Sequence, residues 1–250
     1  MSFAEDRRRA TIFGTVAGKY ELARPDYPAE AVSWLGDQLG IRPGRDVLDL
    51  GAGTGKLTRQ LAALGANVVA VEPDGAMRVE LERSTPGAEA LAGSAESIPL
   101  RDSMVDAIAC AQAFHWFDID RALPEMWRVL RPGGGVGLIW NLRDETDAFQ
   151  EGLSAIVGET DRNWNVEAFS LEAAARDGLF GKGSRMSCSH DQLLPRAQLV
   201  DRVASMSAVA LLDDAARAQV IGNVQAYAEA AEEPIRLVYV TEAYVFRRLG

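Results

Sequence analysis

Four short apolar runs, 46–50 (DVLDL), 67–72 (NVVAVE), 105–110 (VDAIAC) and 136–141 (VGLIWN), are rich in Val, Ile and Leu. Runs of this length and composition predict strands buried on both faces of a parallel sheet. Between them the apolar residues take helical spacing, over Lys56 to Leu64, Gly75 to Arg83 and Arg121 to Leu130. Strand and helix therefore alternate, which predicts a doubly wound α/β sheet. A further strand is expected at Ala88 to Ala92. Before the first strand, Ala29 to Leu39 reads as an amphipathic helix entered through Pro28 and closed by Gly40.

After Trp140 the pattern changes. Residues 142–184 and 196–232 are Ala-rich, acidic and mostly of helical period, with a strand expected at Arg185 to Leu193 and a last one at Arg236 to Arg247. These two helical stretches would form a cap over the carboxyl ends of the sheet. With no internal repeat or Pro-rich linker, residues 1–250 are expected to form one domain, built on a ligand-binding core at 46–141.

Lys and Arg number 26 against 36 Asp and Glu, a formal net charge of −10. That balance disfavours a nucleic-acid partner, whose binding rests on clustered cations that neutralise phosphates. The densest basic run is Arg7-Arg8-Arg9. Cys110 and Cys188 are the only cysteines and stand far apart, which fits a reducing cytoplasm. No apolar run suits a signal peptide or a bilayer span, so neither export nor a membrane partner is expected. With two histidines far apart, no metal site is expected.

The chemistry concentrates in VLDLGAGTGKLT, residues 47–58, where a strand runs into Gly51, Gly53 and Gly55 and then into a helix. Glycines there let the backbone turn tightly and approach a ligand. Glu72 ends the next strand, where such folds place a carboxylate for ribose hydroxyls. The dinucleotide pattern G-x-G-x-x-G would need glycine at Lys56, and the phosphate-loop pattern would need glycine at Leu50 and a hydroxyl at Leu57. G-x-G-x-G preceded by Asp49 suits instead a ligand without phosphates that carries a positive amino group and a sulfonium.

This segment resembles the first motif of class I S-adenosylmethionine-dependent methyltransferases, and VVAVEPD resembles their acidic second motif. GSAESIPLRDSMVDAIACAQAFHWFD (93–118) and LPEMWRVLRPGGGVGLIW (123–140) resemble the motifs that follow, so the likeness covers 46–141 densely. It implies a Rossmann-like seven-stranded sheet of order 3-2-1-4-5-7-6 with the seventh strand antiparallel. It also implies S-adenosylmethionine as cofactor, with Gly51 and Gly53 against the methionyl part, Glu72 and Pro73 at the ribose, and Ser94, Ala95 and Glu96 around the adenine. Asp49, Gly55 and Gln112 complete that set, although Gly55 would serve equally well by relieving helix–strand packing. YELARPDYP (20–28) resembles the N-terminal lid, residues 1–28, of the small-molecule subgroup that includes trans-aconitate-type enzymes. Tyr20 and Arg24 would then contact the cofactor and Tyr27 the substrate.

A methyl group on a sulfonium is already activated, so the protein has mainly to align the reactants and exclude water. His115, in the loop after the fourth strand, is the candidate general base. His115, Trp116, Asn141 and Arg143 are the substrate-side candidates. The function expected is methyl transfer to an oxygen of a small carboxylic acid or secondary metabolite, by a monomer or a homodimer. The alternatives are an adenosylmethionine-binding protein that transfers no methyl group and, against the loop's spelling, a nicotinamide dehydrogenase.

Overall fold

The computed structural model describes residues 24–158, 178–210 and 212–250. Strands β1 (Asp46–Leu50), β2 (Asn67–Val71), β3 (Glu89–Leu91), β4 (Val105–Ala111), β5 (Leu130–Arg143), β6 (Ser184–Leu194) and β7 (Ile235–Arg247) form one mixed sheet of order β3-β2-β1-β4-β5-β7-β6. The first five run parallel to their neighbours. In β7 the direction reverses: Arg248 N donates to Gly134 O and Asp144 N to Val238 O, so one number rises as the other falls.

The described residues divide into two compact units. The first takes its residues from 26–140, 165–188 and 241–250. It holds α1 (Ala29–Leu39), α2 (Lys56–Ala63), α3 (Gly75–Ser84) and α4 (Ile119–Val129). Helix α1 starts after Pro28 and stops at Gly40, whose φ of 68° is the left-handed turn that glycine takes without strain. Its apolar stripe, Ala31, Val32, Leu35 and Leu39, packs in one core with Val47, Leu57, Leu61 and Ile139. Burial of those side chains is what holds helices to the sheet, at about 25 cal/mol per Å² of apolar surface.

Strand β5 begins at Leu130, earlier than the apolar run at 136 indicates. The reason is a register shift: Val105 pairs with Leu130 and Ala107 with Gly135, so the intervening Arg131-Pro132-Gly133-Gly134 bulges out of the ladder. A glycine turn read from sequence is thus an interruption inside one strand.

The second unit takes its residues from 1–25, 141–164 and 189–240. Its described helices are α5 (Ala148–Val157), α6 (Arg196–Ala204), α7 (Ser207–Ala210) and α8 (Asp214–Glu229). Leu153, Leu199, Val203, Val224 and Tyr239 form its own apolar core. Most of the lid 1–28 and residues 159–177 of the cap lie outside the described residues. No described helix is long and apolar enough to cross a membrane.

Candidate functional site

Parallel pairing sets the carboxyl ends of β1, β2 and β4 side by side, so the loops that follow them meet. Gly51 N and Ala52 N both donate to Val71 O, at 2.8 and 3.2 Å, which ties the glycine loop to the end of β2. One residue further on, Glu72 takes two backbone hydrogen bonds. Its Oε2 accepts from Gly53 N and its Oε1 from Asp74 N, both at 2.9 Å. Burial raises the Glu72 carboxyl, and these two N–H donors work against that shift by stabilising the anion. Arg78 Nη1 then bonds Glu72 O at 2.7 Å and Pro73 O at 2.9 Å, while Asp74 caps α3 by accepting from Ala76 N and Met77 N. The acidic loop is therefore fixed by its own backbone, with its carboxylate inward.

Asp49 is fully buried in β1. Its Oδ2 accepts from Thr58 Oγ1 at 2.6 Å, and its Oδ1 has no hydrogen-bond partner. Burial pushes its carboxyl up to about 7. A buried carboxyl with an unused oxygen, close enough to feel the Glu72 charge, is a place that gains from a cationic ligand. Two acidic groups close together suit a cationic ligand.

The three loop glycines have different neighbours. At Gly53, φ is +56° and a Cβ would meet nothing within 4 Å, so the space beside it is open to a ligand. At Gly55 a Cβ would lie 2.9 Å from Leu81 Cγ and 3.0 Å from Thr85 Oγ1, so that glycine serves the packing of α3. At Gly51 a Cβ would meet Ala113 Cβ at 2.6 Å, which makes it the contact between the glycine loop and the loop after β4. Gly53→Ala should therefore keep the fold, at the roughly 1–2 kcal/mol cost of left-handed backbone, and weaken cofactor binding. Gly55→Ala should lower the melting temperature further, by overpacking. Thermal melts and calorimetry on both variants check this contrast.

The loop carrying Ser94, Ala95 and Glu96, where the resemblance puts the adenine, is tied to α4. Glu96 Oε1 accepts from Asp118 N at 2.9 Å, and Glu125 Oε2 accepts from Ile98 N at 2.9 Å. Arg128 closes the same loop by donating to Ile98 O and Leu100 O. After β4, Gln112 holds a φ of +57°, unusual for a residue with a side chain, while its N–H reaches Ile139 O. The chain then makes a single 3-10 turn, Phe114–Trp116. His115 Nδ1 accepts from the indole Nε1 of the buried Trp140 at 3.5 Å, and its ring lies 4.5 Å from that of Trp116. Burial lowers the imidazole to about 4. An indole N–H can only donate, so Nδ1 is the bare nitrogen and the proton resides on Nε2. At neutral pH His115 is thus a neutral hydrogen-bond donor.

Of the residues expected at the site, Asp49, Gly51, Gly53, Glu72, Pro73, Ser94, Ala95, Glu96, Gln112, His115 and Trp116 all belong to the first unit, on loops and strand ends at the carboxyl side of β1, β2, β3 and β4. Tyr27 belongs there too, but its ring is buried in the α1 core, and its backbone forms a reciprocal pair with Gln60 through Gln60 Nε2 to Tyr27 O, 2.7 Å, and Tyr27 N to Gln60 Oε1, 3.3 Å. It is a packing residue at this place. Arg24, Asn141 and Arg143 fall in the second unit. There Arg143 Nε lies 3.4 Å from Glu145 Oε1 and its Nη1 faces Met206 Sδ at 3.8 Å. Tyr20 lies outside the described residues. Lys56, where a dinucleotide loop would need glycine, pairs with Asp26 at 3.1 Å.

Sequence reasoning missed Thr58 and Arg78, which hold the two acidic groups. The signal for Thr58 was a hydroxyl in the first turn of the helix that follows the acid-bearing strand. For Arg78 it was a cation in the first turn after the Asp74 cap.

Residues 48–137 match the family model of the methyltransferase domain. An uncharacterized methyltransferase of Mycobacterium tuberculosis is 51% identical over 152 residues, which make up 61% of this chain and 61% of that protein. The chain thus spans about three fifths of the length of such curated relatives. Malonyl-[acyl-carrier protein] O-methyltransferase of Pectobacterium atrosepticum is 36% identical over 130 residues, 50% of this chain and 49% of that one. Among solved structures, a protein of Anaeromyxobacter dehalogenans described as a type II methyltransferase superposes with a TM-score of 0.61 at 28% identity, covering 90% of this chain and 96% of its own.

Proposed function

We propose that this chain, whose residues 48–137 match a methyltransferase-domain family model, is a class I, S-adenosylmethionine-dependent enzyme that transfers a methyl group to an oxygen of a small carboxylic acid or related metabolite. The observation that carries the cofactor reading is the clasp of Glu72 on Gly53 N, with open space beside Gly53. Glu72 would hold the ribose hydroxyls, Asp49 the positive charge of the aminoacyl end, and the 94–96 loop the adenine. S-adenosylmethionine, when bound, supplies an activated methyl group that an acceptor oxygen can displace from sulfur.

The chain's own residues then have to align and to exclude water. A neutral His115 with its proton on Nε2 suits an orienting donor to an acceptor oxygen. A carboxylic acid is already ionised at neutral pH and needs no base, whereas a phenol or alcohol would. The net charge of −10 speaks against a nucleic acid, and the malonyl acceptor named for one relative speaks for an acid. The same reading places the protein in the cytoplasm, as a monomer or homodimer, with no metal requirement.

The test is incubation with S-adenosylmethionine and a panel of mono- and dicarboxylic acids, phenols and amines, reading adenosylhomocysteine release. Turnover with acids is expected. Tight cofactor binding with no adenosylhomocysteine from any acceptor would favour the cofactor-binding protein without transfer. His115→Gln, which keeps a neutral donor, should hold the rate within about tenfold of the parent, whereas loss of a general base costs roughly 10²–10⁴.

A further inference from the structure

In the second unit, α6 buries Leu199, Arg202 and Val203. Arg202 retains only 6% of its surface, and its Nε and Nη1 are buried with no hydrogen-bond partner. Three other arginines of this unit are provided for. Arg196 donates to Ala228 O and Ala231 O, Arg217 to Ala210 O and Leu212 O, and Arg236 pairs with Asp191 at 2.7 Å.

Removing a guanidinium from water without a counter-charge costs several kcal/mol. A lysine or histidine would relieve that cost by losing its proton; an arginine side chain is a permanent cation. The carbonyl end of α6 offsets only part of it. Met206, four residues beyond Arg202, meets Arg143 through its Sδ, so a second guanidinium reaches the chain just past this helix.

We propose that Arg202 is an anion-binding group of the helical unit, and that it takes the carboxylate of a small ligand through two parallel N–H···O bonds along one edge of its guanidinium, Nη2 together with Nε or with Nη1. One fork offers the pair of donors that a carboxylate accepts, and a phosphate dianion calls for more. This binding does not rest on the proposed function.

The experiment uses the full chain without cofactor, melted in sodium chloride, sodium succinate and sodium phosphate at equal ionic strength. Succinate should raise the wild-type melting temperature over chloride by about 2–6 °C, and Arg202→Met should lose that response while melting in chloride at or above the wild type. Arg202→Lys, which keeps the charge and lacks the fork, should retain less than half the response. Equal responses in wild type and Arg202→Met, no response in either, or an Arg202→Met that melts several degrees lower in chloride would each overturn the inference. A response confined to phosphate overturns the carboxylate assignment. If Arg202 binds succinate but no acid is ever methylated, the proposed function fails and this site stands.

Discussion

Glu72→Ala should weaken S-adenosylmethionine binding by roughly two to three orders of magnitude, since hydrogen bonds to a charged acceptor contribute about 1.5–3 kcal/mol each. The side chain has two tasks that fail together. Its oxygens hold Gly53 N and Asp74 N at 2.9 Å, and the lone pairs left over are those offered to the ribose. Glu72→Gln is not a gentle alternative. An amide has one oxygen, so either Gly53 N–H or Asp74 N–H would face an NH₂ group, donor against donor. Both variants should therefore lose affinity for adenosine and adenosylhomocysteine as well as for the cofactor. Apo stability should change much less, because removal of a buried charge offsets the two lost backbone bonds. Calorimetry beside thermal melts separates the two effects. Wild-type affinity in either variant would remove Glu72 from the site, and a collapse of the fold would make it a structural residue.

The part of this site that sequence made legible is the part carried by neighbours in the chain. The run from β1 through Gly51, Gly53 and Gly55 into α2 is read from period and glycine spacing, and Glu72 from its place at the end of β2. Gly53 and Gly55 look alike in the sequence, yet one faces open space and the other Leu81 and Thr85 of α3. Only the return of a helix from 25 to 30 positions away distinguishes them. His115 is similar: its residue type suggests a base, whereas Trp140, brought alongside by β5, fixes the tautomer and makes the ring a donor. Tyr27 is expected at the substrate through the resemblance of 20–28 to a lid, but its ring is buried in the α1 core and Gln60 of α2 binds its backbone. Arg202 did leave a sequence signal, since Leu199, Arg202 and Val203 share one helical stripe. What no sequence pattern states is that, among the described residues, nothing hydrogen-bonds its Nε or Nη1.

The second large effect concerns Asp49→Asn, which should stabilise the cofactor-free protein at pH 8 and impair its binding of the cofactor. In the folded chain burial raises this carboxyl from the ordinary aspartate range to about 7. A raised carboxyl means that the folded state holds the proton more tightly than the unfolded one. Its contribution to stability is therefore fully present below pH 4 and is lost as pH rises through 7. A difference of about three units corresponds to on the order of 4 kcal/mol. An asparagine cannot ionise, and it can still accept the Thr58 hydroxyl bond through its amide oxygen. The variant's melting temperature should exceed that of the wild type at pH 8, and the two should converge near pH 4. Other carboxylates move the opposite way, Asp46 and Asp106 being held low by Arg131 and by hydrogen bonds, so the comparison must be variant against wild type at each pH. Cofactor binding has the reverse sign. A cationic ligand favours the ionised Asp49, so wild-type affinity should fall about tenfold per pH unit below 7 and level off above it. Asp49→Asn should bind more weakly at pH 8, with no inflection near 7. If the two proteins instead run parallel in both stability and affinity from pH 5 to 8, Asp49 neither titrates in this range nor senses the ligand's charge, and the cation would have to be held by Glu72 alone.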